Sequence, residues 1–167
     1  MRPRRSILLA LVVLLSVALA PLAGLPAWTS DDLGSRGWVW PVDRVRITRP
    51  FIAPPHPYAP GHRGIDLEAS GVVRAPADGT VAFAGEVAGR PIVTVDHGDG
   101  LVTTFEPVSS DLAPGTRIAR GQPVGAPAPG GHTAASEVHF GVRLDGEYIN
   151  PLRLLGGVPR AVLLPCC

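Results

Sequence analysis

The sequence predicts an all-β domain of stacked or barrel-like antiparallel sheets behind an N-terminal apolar signal helix, and three observations carry that prediction. Twenty glycines and nineteen prolines, near a quarter of the 167 residues and without a repeating period, break helices too often for a bundle and suit short strands joined by turns. From Trp38 onward, apolar residues alternate with polar ones or come in short runs cut by turn residues, which is the strand signature. Outside the leader, no stretch of about twelve residues has a helical period.

The chain opens Met1-Arg2-Pro3-Arg4-Arg5 and then runs apolar from Ile7 to about Leu25. A basic start followed by an apolar run marks residues 1–27 as a signal peptide, cleaved after Ala20 or Ala27, or as an uncleaved signal anchor. Either form places the domain outside the cytoplasm, secreted or at the cell envelope, with the membrane involved only through the anchor. Residues 28–37 read as a linker, 38–157 as the β domain and 158–167 as a tail. Cys166 and Cys167 are the only cysteines; they lie too far from the leader for lipid attachment and, being adjacent, are poorly placed to pair with each other. A net charge of +1 argues against nucleic-acid binding. All fifteen basic residues are arginine, which excludes Schiff-base chemistry, a P-loop and a lysine-tethered carrier.

Within the domain, Val45-Arg46-Ile47-Thr48 is the first expected strand, and the proline-rich stretch from Pro50 to Pro60 is an extended loop. Val72-Val73-Arg74 and Thr80-Val81-Ala82-Phe83-Ala84 flank a turn at Ala77-Asp78-Gly79 as an expected hairpin. Ile92 to Asp96 and Leu101 to Phe105 flank Asp99-Gly100 as a second hairpin. Arg117-Ile118 and Pro123-Val124-Gly125 are expected to pair across Arg120-Gly121. Glu137 to Leu144 forms a long strand, which turns at Asp145-Gly146 into Tyr148-Ile149.

The chemistry gathers at Gly61-His62-Arg63-Gly64-Ile65-Asp66 and at His139. Two imidazoles and a carboxylate that leave a fourth position open are a ligand set for catalytic Zn²⁺. On a straight strand His62 and Asp66 would stand about 13 Å apart at the Cα atoms, whereas ligands of one zinc ion lie about 3 to 3.5 Å apart. The chain is therefore expected to bend between them, with Gly64 permitting the bend. On the last long strand, Val138, Phe140 and Val142 face the core, while Glu137, His139, Gly141 and Arg143 face the other way. Of the other histidines, His97 reads as a turn residue, His56 lies in the proline loop, and His132 follows Gly130-Gly131 in a loop from which it could swing toward His139.

Five blocks in order resemble the lysostaphin/LytM-type zinc endopeptidases, which cut peptidoglycan peptides. They are Gly61 to Leu67, Val73 to Val81, Val93 to Phe105, Gly121 to Gly125 and Val138 to Arg143. The resemblance covers about Trp38 to Leu155 and implies a groove-bearing antiparallel β fold. It matches His62 and Asp66 to the family's first metal-ligand motif and His139 to its last ligand.

Two positions depart from the family pattern. Glu137 stands where the family usually carries the first histidine of His-x-His, and Pro107 stands where it usually carries a histidine after the central hairpin's aromatic residue. A carboxylate can still take a proton from the attacking water. The resulting expectation is an exported zinc metalloendopeptidase-like domain hydrolysing peptidoglycan cross-bridges or stem peptides. Metal is held by His62, Asp66 and His139, Glu137 is the base with His132 assisting, and Arg143 and His56 bind substrate. The alternative is a catalytically silent metal-binding domain that binds the wall or regulates an amidase.

Overall fold

A computed structural model describes residues 33–131 and 136–156. The leader, residues 28–32 of the expected linker, His132 and the C-terminal tail with its two cysteines lie outside the described residues. The described chain is almost wholly antiparallel β. Its strands are β1 (Ile47–Arg49), β2 (Gly64–Glu68), β3 (Val73–Arg74), β4 (Gly79–Val87), β5 (Arg90–Asp96), β6 (Leu101–Glu106), β7 (Val108–Ser109), β8 (Arg117–Ile118), β9 (Pro123–Pro127), β10 (Glu137–Leu144) and β11 (Glu147–Ile149). A 3-10 turn at Leu33–Arg36 precedes them and a one-turn helix, α1 (Leu152–Leu155), follows. Among the described residues, no helix is long and apolar enough to cross a membrane.

The main sheet runs β1-β2-β10-β6-β5-β4-β8, with β11 pairing the far end of β10, and a small sheet runs β3-β9-β7. The order follows from the turns. Asp99 and Gly100, and likewise Asp145 and Gly146, all have positive φ and so close the tight β5–β6 and β10–β11 hairpins that the Asp-Gly pairs predict. Alternation then assigns faces: in β6, Leu101, Thr103 and Phe105 are buried while Val102, Thr104 and Glu106 are half-buried. Phe105 stacks on Phe140 of β10 with ring centroids 5.2 Å apart. These rings join Ile65, Leu67, Val93 and Val95 of the main sheet and Val73, Val108 and Val124 of the small one in a single core. Each such side chain contributes about 1.5–3 kcal/mol by leaving water.

Two expected pairings are corrected. β3 does not form a hairpin with β4; it pairs β9, while β4 pairs β5 and β8. The polar groups of the connecting backbone are taken elsewhere: Ala75 N–H donates to Gln122 O, and Gly121 N–H donates to Ala75 O. Nor do Arg117–Ile118 and the strand at Pro123 pair with each other. The left-handed Gly121 turns the chain from β8, in the main sheet, to β9, in the small one. The first strand also sits two residues later than expected, at Ile47–Arg49. Leu33, expected in a linker, is buried in the core.

Candidate metal centre

β10 lies between β2 and β6, and its period-two pattern sends Val138, Phe140 and Val142 into the core and His139 to the opposite face. Asp66 of β2 is the direct partner of His139 in the ladder, so the two side chains project side by side. His62 lies two residues before β2, where its backbone forms a two-bond bridge with Ile52, and the chain bends at Arg63 before the strand begins. That bend carries the imidazole back over Asp66. Arg63 secures the approach by donating from Nη2 to the carbonyls of Pro57, at 2.6 Å, and Ala59, at 3.2 Å.

The expected bend is present, but Gly64 serves another purpose. Its φ is not left-handed, unlike that of eleven other glycines among the described residues. What it lacks is a Cβ, which would stand 2.6 Å from His139 Nε2 and closer still to the Phe140 carbonyl oxygen. Gly64 is the gap that lets β2 and the His139 ring share one site.

Three ligand-type atoms converge as a result. His62 Nε2 is 3.0 Å from Asp66 Oδ1 and 3.0 Å from His139 Nδ1, and His139 Nδ1 is 2.8 Å from Asp66 Oδ1. All three residues are buried, at 3%, 3% and 7% exposure. Three donor atoms about 3 Å apart match the spacing of protein ligands around one tetrahedral zinc ion. The protons agree with this. The Pro50 carbonyl, 2.7 Å from His62 Nδ1, can only accept, so Nδ1 carries the proton of the neutral ring and Nε2 turns its lone pair to the centre, as a second-shell carbonyl arranges for a ligand histidine. An imidazole lone pair and a carboxylate oxygen aimed at one point form a site for a cation, and the residues present fit Zn²⁺.

A cavity of about 380 Å³ opens beside this triad, lined by His62 and His139 and also by Arg49, Arg63, Thr104, Glu106, Gly141 and Tyr148. A larger one, about 630 Å³, lies near Arg46, Glu68 and Val72 and touches none of the three. Glu137 is half-buried on the face of His139, opposite Glu68, and is not among the described residues lining the cavity. Arg143 is half-buried, with its guanidinium 5.9 Å from the ring centroid of Tyr148, which Arg63 approaches at the same distance. His56 is exposed on its loop and does not line the cavity. Pro107 is buried.

His97 is not part of the centre. Its Nδ1–H donates to Asp78 O at 2.8 Å, its Nε2 lies 2.9 Å from Thr103 Oγ1, and its ring packs 4.8 Å from Trp38. Burial pushes its pKa below the ordinary histidine value, partly offset by the bond to Asp78 and by the negative charge of Asp96. Sequence reasoning missed Glu106 and Arg49. Alternation in β6 could have found Glu106, which has the parity of Thr104, away from the core, whereas Arg49 meets Asp66 through an irregular β1–β2 register that no local pattern reports.

Comparison with known proteins accords with this geometry. An uncharacterised protein of Mycobacterium tuberculosis is 36% identical over 148 residues, 83% of this chain, and the chain spans 57% of that relative's length. The murein hydrolase activator NlpD of Salmonella typhimurium is 27% identical over 132 residues, 76% of this chain and 33% of NlpD. The crystal structure of an M23 peptidase from Pseudomonas aeruginosa superposes with a TM-score of 0.57 at 26% identity, covering 73% of this chain and 51% of that one. The model of peptidase family M23 matches residues 60–151, a stretch that holds all three converging side chains, and this chain belongs to that family.

Proposed function

We propose that this chain is an exported zinc metallopeptidase that hydrolyses peptide bonds in peptidoglycan cross-bridges or stem peptides. The observation that carries the proposal is the convergence of His62 Nε2, Asp66 Oδ1 and His139 Nδ1 within 3.0 Å of one another beside an open cavity. These residues would hold Zn²⁺, which when bound supplies Lewis acidity to polarise the scissile carbonyl and to make water more acidic. The protein's own groups do the rest. Pro50 O fixes the His62 ring, and Asp66 adds the negative charge that two neutral imidazoles lack. Arg49 and Arg63, in the cavity wall, place positive charge where a carbonyl oxygen becomes anionic, an interaction often worth about 3 kcal/mol. Arg143, whose guanidinium stands 5.9 Å from the Tyr148 ring, and His56, exposed on the proline loop, would bind the peptide. A carboxylate on the face of His139, either Glu137 or Glu106, the direct partner of His139 on β6, accepts the proton from water. The leader, residues 1–27, delivers the domain to the envelope.

The purified chain loaded with Zn²⁺ should release new amino termini from cross-linked muropeptides. No release from protein carrying stoichiometric metal would refute the peptidase reading. A second reading, a silent wall-binding or hydrolase-regulating domain, is favoured by Glu137 and Pro107 at the two usual histidine positions and by the likeness to a murein hydrolase activator. It predicts stimulation of a separate amidase by protein that cleaves nothing itself.

A further inference from the structure

Ladder register orders the groups on the face of the centre into rows. His139 is the direct partner of Asp66 on β2 and of Glu106 on β6, and Asp66 in turn pairs with Arg49 on β1. Directly opposed residues share a face with Cβ atoms about 5 Å apart, so Asp66, His139 and Glu106 form one row across three strands. The next row toward the hairpin end of β10 is Gly64, Gly141 and Thr104, and the cavity lies over it, lined by Gly141 and Thr104. Glu137 belongs to the row on the other side of His139, opposite Glu68. Among the described residues lining the cavity, Glu106 is therefore the one carboxylate. Its side chain is 14% exposed, and Arg90 Nε donates to its Oε2 at 2.6 Å. That bond engages one of the two carboxylate oxygens of a side chain that lines the cavity.

We infer that Glu106 is the proton-transfer residue of this site and that Arg90 is its positioning residue; the inference rests on the peptidase reading above. As the water oxygen bonds to the scissile carbonyl carbon, the C=O π pair moves onto the carbonyl oxygen and one water proton passes to the Glu106 carboxylate. When that pair re-forms the C=O bond and the C–N bond breaks, the C–N electron pair stays on nitrogen, which takes the proton, and Glu106 is a carboxylate again. The acid product sheds its remaining proton to solvent, and nothing is oxidised or reduced.

The test uses the full chain loaded with Zn²⁺ and compares Glu106→Gln, Glu106→Asp, Glu137→Gln, Arg90→Met and Arg90→Lys. Glu106→Gln should lower kcat on cross-linked muropeptides by about 10²–10⁴-fold, while calorimetry finds one Zn²⁺ per chain and muropeptide affinity within about threefold of wild type. Glu106→Asp, which keeps the carboxylate, should fall between the two, so the assignment stays testable if the amide variant folds poorly. Arg90→Met should lower kcat with KM unchanged, and Arg90→Lys should recover part of it. Wild-type cleavage that Glu106→Gln leaves intact overturns the assignment and spares the peptidase reading. So does a larger kcat loss in Glu137→Gln than in Glu106→Gln. A wild-type protein that binds Zn²⁺ and cleaves nothing overturns both.

Discussion

Replacing Gly64 with alanine should damage fold and metal centre together, and the size of the effect follows from distances. The new Cβ would stand 2.6 Å from His139 Nε2 and nearer to the Phe140 carbonyl oxygen, so reaching ordinary contact at 3.4 Å moves the ring by about 0.8 Å. The backbone oxygen belongs to the central strand and cannot turn aside as a side chain can. Overpacking of this kind costs about 1–3 kcal/mol, against about 0.4–1 kcal/mol returned by a stiffer unfolded chain. The expected net loss is about 1–2 kcal/mol in urea unfolding with EDTA present. Metal geometry tolerates only about 0.2 Å, so Zn²⁺ affinity in a chelator competition should fall by about 10–100-fold. Gly141→Ala is the control on the same face. Its Cβ would meet Arg63 O at 3.5 Å and His139 Nε2 at 3.6 Å, both ordinary contacts, so stability should stay within about 0.5 kcal/mol. Gly64→Ala with wild-type stability and wild-type zinc affinity would refute the close-approach reasoning, as would equal damage in the two variants.

Three further outcomes are expected. Asp66→Asn removes the one anionic ligand, so zinc affinity should drop by at least about 10–100-fold in the same competition while the metal-free protein stays folded by circular dichroism. Phe140→Ala empties a core position stacked on Phe105 and should cost about 3–5 kcal/mol in urea unfolding, enough to threaten a domain of ordinary stability. His97, its pKa lowered by burial, favours the neutral ring in the folded state. Between its unfolded value of about 6.5 and its lower folded value, the unfolded chain binds more protons. Its contribution is thus full above about pH 6.5 and is lost as pH falls toward the folded value. The urea midpoint with EDTA present should decline over that window in wild type and decline less in His97→Gln; equal slopes in the two proteins would contradict the assignment.

What the sequence reveals depends on how local the cause is. The faces of β10 are legible because side-chain direction in a strand needs only period-two counting, so His139 could be set against Phe140 without knowing any partner strand. The two Asp-Gly turns are legible because positive φ at those residues is a property of the turn itself. The need for a bend between His62 and Asp66 follows from ligand spacing alone. The pairing of β3 with β9, and not with its neighbour β4, is continued by hydrogen bonds between Ala75 and residues 121 and 122, far along the chain, and local turn chemistry does not report them. Gly64 was legible as important but not for its reason, because the atoms its missing Cβ makes room for come from a strand some 75 positions later. Pro107, two residues past Phe105, is where the family resemblance leads one to expect a histidine, and it carries no titratable group. The alternation of β6 points Glu106, one residue earlier, away from the core.

The rows also separate two properties that one motif tends to merge. Asp66 and His139 sit in the middle of a row with Arg49 at one end and Glu106 at the other. The candidate metal ligands are thus fixed by β2, β10 and the loop that carries His62, while two of the charges that would act on a substrate, Arg49 and Glu106, come from β1 and β6. A substitution on β1 or β6 can change those charges without moving a ligand atom, since the ladder bonds that set the register are made by backbone and not by side chains. Metal binding can therefore persist while hydrolysis is tuned or lost. The identities at positions 106 and 49 bear on whether this chain is a peptidase or a silent relative, and His62 and Asp66, which serve either reading, do not.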